Sequence, residues 1–205
     1  MIFAIIMATV VVLFRLATPL NGSAGTWITD HGRRTQVSIA ITLVPFAGIA
    51  FLWFIGVIRA RLGIYEDRLF ATVFLGSGLL FVAMLFAGAA VIGGLLTLYN
   101  DKYPISADSL RLGSAMSGAL LTTFGIRMAA VFTVVVTNLG RRAKLVPRWL
   151  VVFGYIAGVV LLLAPVGEKW AILVFPLWVF VLSVRIFFAS AHLEPVIPAA
   201  SGLDS

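Results

Sequence analysis

Apolar residues run in six long blocks along this chain, beginning near Ile2, Val37, Phe70, Leu112, Trp149 and Trp170, with short polar joints between them. Each block is as long, or nearly as long, as the roughly 20 mostly apolar residues a helix needs to cross lipid. Apolar and polar positions do not alternate within the blocks, so the inside–outside pattern of a barrel strand is missing. Lipid offers no partner for stray backbone groups, which leaves the helix as the spanning element. The pattern predicts an all-α, polytopic transmembrane helical bundle of six spans, over about 2–20, 37–58, 70–99, 112–139, 149–164 and 170–189. A single transmembrane domain occupies 1–190, and 191–205 form a loose tail of mostly small and polar residues.

Local punctuation agrees with these bounds. Pro19 and Asn21-Gly22-Ser23 close span one. Pro147 stands just before span five, where a missing N–H costs nothing. Ser106 and Asp108 are candidate caps for span four. Trp149 and Trp170 open their spans, at the depth an amphipathic ring prefers. Pro45 and Pro176 fall inside spans two and six and can kink them. No cation precedes Ile2-Phe3-Ala4, and Arg15 interrupts the first block, so that block reads as a retained span rather than a cleaved leader.

Composition narrows the chemistry. Charged residues make up 11% of the chain, against about 25% in soluble domains. With no cysteine and only His31 and His192, far apart, neither thiol chemistry nor a zinc site is expected. The net charge of +7 sits mainly in the joints between spans. Cations there set topology and meet anionic headgroups, and no nucleic-acid motif accompanies them. Arg59, Arg61, Arg68, Arg141, Arg142, Lys144 and Arg148 lie on one side; Arg33, Arg34, Lys102, Arg111 and Lys169 lie on the other. The richer side is expected to be cytoplasmic. Both termini then face the cytoplasm and the bundle sits in the inner (plasma) membrane.

Arg127 is the sharpest candidate. It falls deep in span four, in Thr122-Thr123-Phe124-Gly125-Ile126-Arg127. Yet all eight acids, Asp30, Glu66, Asp67, Asp101, Asp108, Glu168, Glu194 and Asp204, lie outside the spans. The guanidinium must therefore snorkel toward the cytoplasm, bond to hydroxyls or carbonyls, or meet a lipid phosphate or a carboxylate on another chain. Arg15 and Arg185 lie nearer span ends, where long stems let a charge reach the interface. Small residues four apart let helices approach closely, either within the chain or against another subunit. Gly154 and Gly158 form a strict pair of this kind. Ala89 with Gly93, Ala90 with Gly94, Gly113 with Ser117 and Ser114 with Gly118 are others. Without carboxylates in the spans, a proton relay loses its usual parts. No nucleophile, paired carboxylates, phosphate loop or metal motif appears, so a non-enzymatic role without cofactor or metal is expected.

Three stretches carry a family resemblance: Phe51-Leu52-Trp53-Phe54-Ile55-Gly56-Val57-Ile58-Arg59, Phe74-Leu75-Gly76-Ser77-Gly78-Leu79-Leu80-Phe81, and Val146-Pro147-Arg148-Trp149-Leu150-Val151-Val152-Phe153-Gly154-Tyr155. With Arg33-Arg34 they resemble small actinobacterial, mycobacterial-type multi-span proteins, most of them uncharacterised, over about residues 30–165. The resemblance implies an accessory membrane subunit of a Mce-type lipid-import complex. Its partners would be membrane lipids and other integral membrane subunits. Arg127, Arg15, Gly154 and Gly158 are the candidate contacts. The other expectation is a stand-alone transporter of small molecules or lipid, with Arg127 binding an anionic group.

Overall fold

The computed structural model describes residues 1–17, 26–62, 68–144, 146–165 and 171–191. The described residues are almost entirely helical, and no strand occurs among them. In chain order the helices are α1 (Ile2–Ala17), the short α2 (Thr26–Thr29), α3 (His31–Leu62), α4 (Arg68–Asn100), α5 (Ala107–Ala119), α6 (Ile126–Arg142), α7 (Arg148–Leu163) and α8 (Ala171–Ala191). A π-helical turn, Leu120–Gly125, joins α5 to α6.

Four runs are long and apolar enough to cross a membrane: His31–Arg61, Ala71–Asn100, Ala107–Arg142 and Ala171–Phe188. They mark the chain as a membrane protein. The first and fifth expected spans, α1 and α7, are apolar but have 16 residues each. At about 1.5 Å per residue each is about 24 Å long, short of a hydrocarbon core of about 30 Å. Expected span two is longer than its apolar block, because α3 begins at His31 instead of near Val37. Asp30 explains the early start: its Oδ1 accepts from the Arg33 backbone N–H at 3.0 Å. That hydrogen bond, more than the charge of Arg33, lowers the Asp30 pKa below the ordinary carboxylate value. The Pro19 stop, Trp170 and the tail 192–205 lie outside the described residues.

Packing closes α1, α3, α4, α6, α7 and α8 into a ring, each helix against the next and α8 back against α1, while α5 packs on α4. Phenylalanines fill the centre. The Phe51 ring meets Phe3 at 4.7 Å, Phe132 at 5.1 Å, Phe81 at 5.2 Å and Phe175 at 5.6 Å. Phe74 stacks on Phe132 at 5.2 Å. These tilted and edge-on pairs add to the burial each ring supplies. The hub thus ties α1, α3, α4, α6 and α8 at one level.

A second, smaller core forms where α2 meets α3 and α4, around Trp27, Ile28, Val37, Ile92 and Leu96. Arg34 closes it. Its Nη1 donates to the Ile28 carbonyl at 3.1 Å, and its guanidinium lies 4.9 Å from the centre of the Tyr99 ring. Arg34, counted above as a topology charge and within the resemblance, is therefore also a brace.

α4 and α6 end alike. Lys102 and Lys144 adopt positive φ, 59° and 53°. The Lys102 N–H donates to Tyr99 O at 3.1 Å and that of Lys144 to Arg141 O at 3.1 Å. The left-handed conformation just past a helix end is ordinarily glycine's. Ser106 caps α5 as expected, its Oγ accepting from Ser109 N–H at 3.0 Å. The other candidate, Asp108, lies in the first turn and forms an exposed ion pair with Arg111 at 3.9 Å.

Candidate membrane-buried cation site

The site is built on the π turn. Ile126 N–H reaches back five residues, to Leu121 O, instead of four. Such wide turns commonly mark functional positions. Thr122 Oγ1 donates back to Gly118 O at 2.9 Å. Arg127 then folds over the turn, as helical side chains do, toward the helix N-terminus. Its Nη1 donates to Thr123 O at 2.8 Å and to Thr122 O at 3.3 Å. Of the fates open to Arg127 in the sequence, carbonyl capping is the one seen. Snorkelling toward the α6 end is not, because the side chain points the other way.

Capping satisfies only part of the guanidinium. Arginine carries five N–H donors, and Nη1 holds two of them. The donors on Nε and Nη2 have no acceptor among the described residues, and Arg127 is half-buried. Arg127 lies near the middle of the run Ala107–Arg142, three residues after the exposed Phe124. An arginine at a helix centre costs about 2.5–3.5 kcal/mol on insertion. A side-chain hydrogen bond inside a bilayer averages about 0.6 kcal/mol. Two such bonds offset roughly 1 kcal/mol, so most of the cost remains.

Arg15 sits elsewhere. It lines a partly open cavity of about 120 Å³ with Met7, Phe14, Phe81, Ser117 and Phe175. Its Nε and Nη2 are shielded from solvent. Ser117, on the same wall, donates its hydroxyl to Gly88 O at 2.9 Å and so links α5 to α4. Arg127 does not line this cavity. The two candidate arginines therefore do not share this cavity, although Gly125 and Ile126, next to Arg127, line it. No group of three metal-binding side chains occurs among the described residues.

The small-residue pairs separate into two kinds. A Cβ on Gly154 would overlap Thr137 Oγ1, and one on Gly158 would lie 2.5 Å from Val134 Cγ2. Both glycines are thus occupied by α6 of the same chain. Gly113 is likewise filled, by Leu95 at 2.8 Å. Gly94 and Gly118 differ, since a Cβ there would meet nothing within 4 Å. The sequence could not sort these pairs, because each shows the same spacing. The π turn was missed too, as Leu120-Leu121-Thr122-Thr123-Phe124-Gly125 carries no marker of it.

Comparison with family models, with curated proteins and with solved structures gives no match.

Proposed function

We propose that this chain is a non-enzymatic accessory subunit of a larger inner-membrane complex, one that moves lipid in the manner of a Mce-type importer. One observation carries the subunit reading: Arg127, half-buried near the middle of the longest apolar run, holds donors on Nε and Nη2 that no described residue accepts. A donor in that position gains from an acceptor outside the chain. The open positions at Gly94 and Gly118 add close-approach surface of the kind membrane helices use to associate. The lipid-import part of the reading rests on the resemblance of residues 30–165 alone.

In this reading all six apolar helices cross the bilayer, α1 and α7 where the surrounding membrane thins to their length. Both termini are cytoplasmic, following the Lys/Arg excess in the joints after α3 and α6. Gentle detergent extraction from the native host should recover the chain with stoichiometric membrane partners. A clean monomer or homo-oligomer would count against it.

The second reading is a stand-alone carrier of small molecules or lipid, with Arg127 holding an anionic group. The apolar cavity at Arg15 favours a carrier, but Arg127 lies off that cavity. A carrier predicts movement of substrate into liposomes that contain this chain alone, lost in Arg127→Ala with folding intact.

A further inference from the structure

The half-buried line through Gly118, Thr122 and Arg127 on the α5–α6 run holds more than a charge. Gly118, Thr122 and Arg127 are linked along it by consecutive bonds, Thr122 Oγ1 to Gly118 O and Arg127 Nη1 to Thr122 O. The helix surface is bare at Gly118, where a Cβ would meet no atom within 4 Å. Phe124 is 56% exposed on the same turn. The line thus offers a flat place at one end and a cation at the other.

From this geometry we infer that the face docks a transmembrane helix of a different protein, one carrying an Asp or Glu at the depth of Arg127. The inference rests on the subunit reading above and adds the partner's chemistry. Three arguments select the occupant. Nε and Nη2 of one guanidinium form a fork that fits the two oxygens of a carboxylate. A lipid phosphate fits the same fork, but its ordinary level is the headgroup region, about 15 Å from the bilayer centre. The bonds of Nη1 to Thr122 O and Thr123 O hold the guanidinium back from reaching it. A second copy of this chain is the wrong partner, because every acid of the sequence lies outside the apolar blocks. The bare surface at Gly118 lets the incoming backbone come close enough for a short carboxylate side chain to reach.

The absence of native cysteine makes the test direct. The tagged full-length chain carrying Gly118→Cys is expressed in the native host and reacted with a photoactivated maleimide crosslinker. The adducts are then sequenced by mass spectrometry. The expected result is one heteromeric adduct whose partner segment is an apolar helix containing Asp or Glu. Amidating that acid (Asp→Asn or Glu→Gln), or Arg127→Gln here, should cut co-purification about tenfold, the scale of one such contact. Arg127→Lys should retain only part of it, because an ammonium keeps the charge and loses the fork. Because Arg127 also caps its own turn, Gly118→Leu supplies a variant that leaves the charge in place. It should cut co-purification at an unchanged thermal midpoint.

An adduct between two copies of this chain, an adduct to a segment without acid, or adducts to lipid only would overturn the inference. If partners still co-purify in those cases, the subunit reading stands without it. Recovery of the chain with no partner would remove both.

Discussion

At the scale of single residues, the same amino acid carries opposite consequences depending on what stands opposite it. Gly154 faces Thr137 and Gly94 faces open space. Gly154→Ala should therefore cost about 1–3 kcal/mol through overpacking. Gly94→Ala should be neutral or stabilise by up to about 1 kcal/mol, the helix preference of alanine. Thermal unfolding of the two variants in detergent would show the difference. Aromatic residues divide in the same way. Phe51 is fully enclosed and Trp53, two residues on, is 74% exposed. Phe51→Ala should lose about 3–5 kcal/mol, and Trp53→Ala should change stability by no more than about 0.5 kcal/mol. Hydropathy could not foretell this, since both residues read as members of one apolar run. In a chain surrounded by lipid, apolar character does not distinguish inside from outside.

At the scale of elements, the helix bodies were legible and their ends less so. The blocks starting near Phe70 and Trp149 become α4 and α7 almost residue for residue, because length and continuity alone dictate a helix in lipid. The early start of α3 escaped notice. It depends on one carboxylate, Asp30, placed three residues before a free N–H. The sign of its pH dependence follows from the lowered pKa. The stabilisation is present above the unfolded carboxylate value, and it is lost as pH falls through the lower folded value. Protection of the Arg33 amide against hydrogen exchange should decline through that acid range, and Asp30→Asn should abolish the dependence. The C-terminal ends of α4 and α6 yield another test. Lys102 and Lys144 occupy a conformation that favours glycine. Lys102→Gly or Lys144→Gly should raise stability by about 0.5–1 kcal/mol, read as an increase in the thermal midpoint.

At the scale of the whole molecule, a ring of helices surrounds the phenylalanine hub, and the sequence offered no route to it. Sixteen phenylalanines are spread through the chain, and only the order in which helices neighbour one another decides which of them converge. Orientation in the bilayer is testable with single cysteines in this cysteine-free chain. A membrane-impermeant maleimide should label Asp101→Cys in intact cells and Arg141→Cys only after permeabilisation; the reverse pattern would invert the topology. The wide turn at Leu120–Gly125 governs how the two halves of the longest apolar run are aimed. A π turn takes up one residue more than an α turn, so the helix beyond it keeps the rotation it would have without that residue. Closing the turn to α pitch with every residue retained would instead rotate α6 by about 100° around its axis. Phe132 would leave the hub, Gly154 and Gly158 would lose the surface that fits them, and Arg127 would be aimed in a new direction. The azimuth of half the bundle thus depends on that one turn staying wide.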